Sequence, residues 1–272
     1  FLQTNADYYK ADIFKAPFDQ STADDINNWV SRKTNGRIDN MVDEISEYTI
    51  MYLINALALD ATWYEVYEQD QVEKDIFTTA DKKEQNVDFM CSEEEYYLED
   101  NTSVGFMKYY ASGTRYAFVA LLPNEGVSVE DYIHSMTGDK LQSLLENSRY
   151  CVVNTKMPKF EVEYEIVLND VLRKMGMVMP FDDSDADFSR MGKSKSGNNV
   201  YISEVLQKTY MSVDEKGTKA AAATSVEMNE DAGGSEEPTE IKQVYLDRPF
   251  VYMIIDCNHN IPIFAGTMMS VE

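Results

Sequence analysis

Histidine is almost missing from this chain. Of 272 residues only His134 and His259 carry an imidazole, so a His-based catalytic triad or metal centre has little to build on. His134 falls in a helix-patterned stretch and His259 in the turn Asn258-His259-Asn260, and both read as solvated surface side chains. Basic residues are scarce too. Against 48 Asp and Glu stand 24 Lys and Arg, a formal charge of −24 at pH 7. So acidic a surface is repelled by nucleic-acid phosphates and by anionic lipid, and neither is expected as a partner. No apolar stretch approaches the roughly 20 residues that cross a bilayer. Cysteine is limited to Cys91, Cys151 and Cys257, far apart and without CxxC spacing, which excludes a zinc cage and a thioredoxin-like pair. Each has apolar neighbours, so buried and inert thiols are expected. The chain opens Phe1-Leu2-Gln3 with neither an initiator Met nor a leader pattern, as expected of a processed or truncated product.

What is present is globular: 44% hydrophobic and 12% aromatic residues. The length allows one large domain or two smaller ones. Ser21-Thr22-Ala23-Asp24 opens a helical pattern through Ile26, Trp29 and Val30 that Asn35-Gly36 stops. Ile50 to Leu59 is a continuous apolar run broken only by Asn55, the pattern of a strand buried on both faces. Short β segments follow to about residue 163, among them Tyr116–Leu122 and Tyr150–Asn154. Two stretches with helical spacing, Val129–Glu146 and Glu165–Met175, interrupt the β pattern. Strands are predicted again at Val200–Ile202, Thr209–Val213, Gln243–Leu246, Pro249–Ile255 and Ile263–Met269. Segregated rather than alternating elements predict an α+β fold. Asn101-Thr102-Ser103 matches a glycosylation acceptor by pattern, and Gly192-Lys193-Ser194 resembles the end of a phosphate loop but lacks its upstream glycine. Nothing implies a cofactor or a metal.

Asp214 to Lys242 shows no convincing element of its own, and loops this long inside a domain are usually functional or disordered. It opens Asp214-Glu215-Lys216-Gly217-Thr218-Lys219-Ala220-Ala221-Ala222-Ala223-Thr224. With period two, Thr218, Ala220, Ala222, Thr224, Val226 and Met228 share one small, mostly apolar face; the face of Lys219, Ala221, Ala223, Ser225 and Glu227 carries the charge. A strand with such small side chains could slide between existing strands, and Gly217 supplies a backbone pivot. Four successive alanines with Thr218 as a cap equally suit a short surface helix. Periodicity alone leaves both open.

The segment Val213 to Thr224 resembles the reactive-loop hinge of the serpins. Further matches follow in order. Asn55, with Trp63 eight residues later, resembles the family's central sheet position and tryptophan; Met157-Pro158-Lys159-Phe160 resembles its Leu-Pro-Lys-Phe strand. Ile202-Ser203, Asp247-Arg248-Pro249-Phe250-Val251-Tyr252 and Phe264-Ala265-Gly266 resemble its other signatures. The resemblance covers essentially the whole chain but only the latter two-thirds of a serpin, the first helices and an early strand being expected in front of Phe1. That missing N-terminal segment is itself an expected partner.

The resemblance implies one domain over residues 1–272, with a large, mostly antiparallel central sheet, two further sheets, packed helices and an exposed loop at about 214–242. It implies no enzyme but a suicide-substrate inhibitor of serine or cysteine proteases with a metastable fold. The protease acylates on the loop, and the cut loop inserts into the main sheet. Glu215, Gly217, Thr218 and Ala220, Ala221, Ala222, Ala223 and Thr224 form the hinge. Large or charged residues on its inward face, typical of non-inhibitory members, are absent. Counting sixteen positions beyond Glu215 places the scissile bond between Asp231 and Ala232; Asp231 fits a protease with a basic primary pocket, Met228 an apolar one. Asn55, Trp63, Lys159, Ser203 and Gln207 match sheet-opening positions. Lys159 and Glu215 are expected to pair. Gln207, where many relatives have histidine, keeps the expected pairing with Asn55 but removes its pH dependence. Members are more often secreted than intracellular, so an extracellular setting is expected. The alternative is a non-inhibitory serpin-like binding or storage protein.

Overall fold

The computed structural model describes residues 2–46, 48–111, 115–192, 199–218 and 240–271. Helices α1 (Leu2–Tyr9) and α2 (Gln20–Lys33) come first. Strands β1 (Tyr52–Ala58), β2 (Ala61–Thr62), β3 (Val72–Thr78), β4 (Glu84–Glu99), β5 (Ser103–Tyr109) and β6 (Tyr116–Pro123) follow. After α3 (Val129–Ser135) and α4 (Gly138–Glu146) come β7 (Arg149–Pro158), β8 (Phe160–Val167), α5 (Asn169–Lys174), β9 (Glu204–Val213) and β10 (Gly217–Thr218). The chain closes on β11 (Ile241–Tyr245), β12 (Phe250–Asp256) and β13 (Ile261–Met268). The chain divides into two units, Phe1–Ala58 with Val162–Met211, and Leu59–Glu161 with Ser212–Glu272.

In the first unit a three-stranded sheet runs in the order β1-β9-β8. β1 and β9 are parallel, with Tyr52 opposite Glu204 and Asn55 opposite Gln207. Helix α2 starts where the Asp19 carboxylate accepts from the Ser21 amide, and Thr22 completes a capping box. Its Ala23 and Val30 pack with Ile38, Met41, Val42, Leu206 and Tyr210. Gly36, at φ 74°, lets the chain turn away after the helix. A second cluster joins Met51, Phe181, Ile202 and Val205.

Three expectations change here. The apolar run at Ile50–Leu59 forms β1 but is not buried on both faces: the strand residues Tyr52–Ala58 are half-buried or exposed, Leu53 at 40%, because β1 is an edge strand. The helical spacing at Glu165–Met175 yields a helix only from Asn169; pairing of β8 with β9 keeps Glu165 to Val167 extended, tertiary context overriding a local pattern. Val200–Ile202 joins no ladder, although the Ile202 amide donates to the Pro180 carbonyl at 2.9 Å.

The second unit is built on an eight-stranded sheet in the order β11-β7-β4-β5-β6-β12-β13, with β3 also paired to β4. Every pairing is antiparallel except that of β11 with β7. β6 is buried along nearly its whole length, and Val119 and Leu121 pack with Tyr132 of α3, Leu144 of α4 and Val251 and Met253 of β12. The helical stretch Val129–Glu146 divides into α3 and α4 because Ser128 and Thr137 each cap a new start, accepting from the amides of Asp131 and Lys140. Gly105 allows β5 to lie against β6: a Cβ there would sit 2.2 Å from the Ala120 carbonyl oxygen. A third, two-stranded sheet pairs β10 with β2.

Candidate functional site

At the end of β9 the chain makes a tight reversal. The Asp214 amide donates to the Gly217 carbonyl at 2.9 Å, and the Gly217 amide donates back to Asp214 at 3.2 Å. The Asp214 carboxylate also accepts from the Lys216 amide at 2.9 Å, a local side-chain to backbone turn. Gly217 takes φ 133°, where an L side chain is strained, and a Cβ would lie 2.2 Å from the Ala61 carbonyl oxygen. Only glycine permits both the turn and the approach to β2.

Beyond it β10 pairs with β2, Gly217 opposite Thr62 and Thr218 opposite Ala61. The Trp63 amide donates to the Lys216 carbonyl, and the Tyr67 amide to that of Glu215, both at 2.9 Å. The indole Nε1 of Trp63 donates to the Asp214 carbonyl at 2.9 Å. Three successive carbonyls of the hinge are thus held by the segment after β2, each bond worth about 1 kcal/mol net. Trp63 is itself fixed, fully buried and stacked on Tyr110 at 4.5 Å with Phe118 edge-on at 5.9 Å. Thr218 is 0% exposed, and its hydroxyl and the Tyr110 hydroxyl lie 2.9 Å apart as a hydrogen-bonded pair. Burial pushes the Tyr110 phenol well up, and the bond to Thr218 offsets only part of this.

Lys159, just after β7, forms an ion pair with Glu215. Burial raises the Glu215 carboxyl, but the Lys159 hydrogen bond and charge, with its own backbone amide, outweigh burial and hold it below its ordinary value. Beneath the hinge the Lys108 ammonium is 2.7 Å from a Glu94 oxygen, with side chains 4% and 11% exposed. It lies 4.4 Å from the centre of the Tyr67 ring and 5.7 Å from that of Trp63, a desolvated cation against two aromatic faces. Burial pushes the Glu94 carboxyl up despite Lys108.

The other sheet positions lie in the first unit. Asn55 and Gln207 face each other across the parallel β1–β9 ladder. The Ser203 hydroxyl accepts from the Ile50 amide at 2.9 Å, while the Ser203 amide donates to Met51 at 3.0 Å, fixing the start of that ladder. Ala220, Ala221, Ala222, Ala223 and Thr224, and the bond between Asp231 and Ala232, lie outside the described residues.

Sequence reasoning missed Tyr110, the Lys108–Glu94 pair and Lys208. Lys208 reaches Glu163 at 2.6 Å and the Asn40 carbonyl at 2.8 Å from a side chain 11% exposed. For Lys108 the signal was a lone lysine in the otherwise apolar strand Val104 to Tyr109; Lys208, flanked by Gln207 and Thr209, gave no such signal. The thiols differ from expectation: Cys151 is buried, but Cys91 and Cys257 are only partly so. Burial raises all three. Both histidines are exposed.

The serpin (serine protease inhibitor) family model matches residues 1–271. A solved structure of the thermophilic serpin tengpin in its native state is 51% identical over 99% of this chain and 68% of that one, with a TM-score of 0.89. Tengpin in its latent state gives 0.79. An uncharacterised serpin-like protein of Thermococcus kodakarensis is 30% identical, covering 99% of this chain and 62% of its own. Serpin-Z1C of Triticum aestivum is 26% identical over 96% of this chain and 68% of its own. Family match, motif order and fold agree, and the chain belongs to the serpin family.

Proposed function

We propose that this chain inhibits serine proteases, or cysteine proteases, as a suicide substrate. The observation that carries the reading is the hinge: directly after Gly217 the backbone pairs as a strand with Thr218 turned inward, and the residues that continue this face are Ala220, Ala222 and Thr224. The protease nucleophile would attack the carbonyl of Asp231, and the bond to Ala232 would break, leaving an acyl-enzyme on the new C-terminus. Insertion of the cut loop requires β1 and β9 to part, breaking the ladder from Tyr52–Glu204 to Ala58–Tyr210. The loop replaces it with two ladders, a net gain of backbone hydrogen bonds that drives the trap. Small side chains keep the cost of entering a packed sheet low. Asp231 suits a protease with a basic primary pocket, and the setting we propose is extracellular, the family's commoner one.

The test is to mix the protein with a panel of serine proteases, including one that cuts after acidic residues, and to run denaturing gels. A band at the summed mass that survives boiling in detergent, with sequencing of the released peptide, supports the reading and locates the bond. Cleavage within Val226 to Pro238 with no such band, but with a large gain in thermal stability, means insertion too slow to trap. Cleavage with neither outcome favours a non-inhibitory binding or storage protein.

A further inference from the structure

One face of the eight-stranded sheet is covered along only part of its width. Leu98 of β4 and Met107 of β5 are buried there against Tyr132 of α3 and Leu144 of α4. Two residues back along β4, on the same face, the cover thins and Tyr96 is only half-buried. From Tyr96 an apolar ridge crosses the ladder. Tyr96 stands opposite Tyr150 of β7, and their rings meet edge to face at 5.9 Å, as do those of Tyr96 and Tyr109 of β5 at 5.6 Å. Val152, on the face of Tyr150 by strand alternation, stands opposite Ile241 of β11. Tyr150 is 57% and Ile241 66% exposed. A single exposed apolar side chain needs no account, but apolar residues in register across four strands form a contiguous patch of the kind that marks an interaction site.

The nearby cations belong to the other face. Arg149 and Lys242 lie over the Tyr97 ring and are paired with Glu99 and Glu240. Beside the ridge stands Glu95, exposed and, among the described residues, without an ion pair to Lys or Arg; its charge pushes the Tyr150 phenol up. The complement of such a surface is an apolar patch rimmed by positive charge. Position selects the partner. Ile241 lies ten residues beyond Asp231, a tether of at most about 35 Å, and a protease of about 230 residues has a radius of gyration of about 17 Å. An enzyme that takes Asp231 into a basic primary pocket thus has the ridge within reach of its body, and both contacts ask for positive charge on the same partner.

We infer that this ridge is a second docking surface for the protease that attacks the loop, meeting an apolar, basic-rimmed patch of that enzyme. The inference rests on the inhibitory reading. A contact outside the primary pocket discriminates among proteases that share one cleavage preference.

The test uses the full chain and whichever protease of the panel it traps. In Tyr150→Ser/Ile241→Ser the second-order rate constant of inhibition should fall at least about tenfold, the scale of losing anchor residues at an interface, while the number of inhibitor molecules consumed per protease stays the same. In Glu95→Gln the rate should depend less steeply on salt. Val171→Ser/Met175→Ser, which alters two other exposed apolar residues, should react at the original rate. A thermal midpoint matching that of the unaltered chain certifies the fold of each variant. Binding of the same protease with its nucleophile replaced by alanine, read by calorimetry, should weaken in step with the rate. Equal rates in the unaltered chain and the ridge variant, or equal slowing in both double variants, overturn the docking surface and leave the inhibitory reading standing. If the unaltered chain forms no detergent-stable band with any protease, the inhibitory reading falls and the docking surface with it.

Discussion

The indole of Trp63 and the carbonyl of Asp214, 151 residues apart in sequence, meet at 2.9 Å, and this bond ties the turn at the end of β9 to the segment after β2. Trp63→Phe retains a ring to stack on Tyr110 but leaves the carbonyl without its donor. The expected cost is about 1–3 kcal/mol, seen as a thermal midpoint lowered by about 2–10 °C for a chain of this size. Scanning calorimetry decides it: an unchanged midpoint would show that the bond adds nothing.

Gly217 is the position least open to substitution in the hinge. Gly217→Ala forces a left-handed backbone angle on an L residue and drives its Cβ into the Ala61 carbonyl, so β10 should part from β2. The loss exceeds about 1 kcal/mol from backbone strain alone. Hydrogen exchange should show the Trp63 and Tyr67 amides, which donate to the hinge, losing protection while those of β6 keep theirs.

Much of this was legible in the sequence, for reasons that differ by element. α2 could be read because apolar spacing and terminal glycine agree within a single stretch, although its cap is Asp19 and the helix already includes the Ser21 at which the sequence pattern opened it. The strands β6 and β12 could be read because burial in a wide sheet makes their apolar runs continuous. β1 read equally apolar yet sits at an edge, since periodicity reports a residue's chemistry and not the number of strands beside it. The hinge stood out through Gly217 and the alanines, but Tyr110 and Lys108 did not. Their roles depend on β5 bringing them under Trp63, a contact that no local pattern encodes.

Lys108 and Glu94 make the case for that hidden pair. Lys108→Met removes the cation that lies 2.7 Å from the buried Glu94 carboxylate, and an uncompensated buried charge costs about 3–5 kcal/mol. Glu94→Gln added to it should recover most of the loss, because the amide needs no counter-ion. Urea denaturation of the two single variants and the double gives the coupling energy, and strict additivity would rule out a pair acting as a unit.

The Lys159–Glu215 pair gives the hinge a pH dependence of defined sign. Folding lowers the Glu215 carboxyl, so its contribution is full above the unfolded value, about 4.3, and fades as pH falls through the lower folded value. With side chains 27% and 34% exposed, screening limits it to about 1 kcal/mol. Thermal midpoints measured from about pH 6 down to pH 3 should fall less steeply in Glu215→Gln than in the unaltered protein. Parallel curves would dismiss the pair as a contributor.

Thr218 separates packing from function in one residue. Thr218→Val preserves shape but strips the hydroxyl, leaving the buried Tyr110 hydroxyl without its partner at 2.9 Å, at a cost of about 1–3 kcal/mol. A strand bearing valine still enters a sheet, so protease trapping should continue at near the original stoichiometry. Thr218→Arg places a charge where the side chain is 0% exposed, and after cleavage that charge must be buried for the loop to insert. The arginine variant should therefore be cut by the same protease and released, without a detergent-stable band and without a gain in thermal stability. If the arginine variant traps as well as the valine one, the inward face of the hinge does not govern insertion, and the inhibitory reading loses the observation on which it rests.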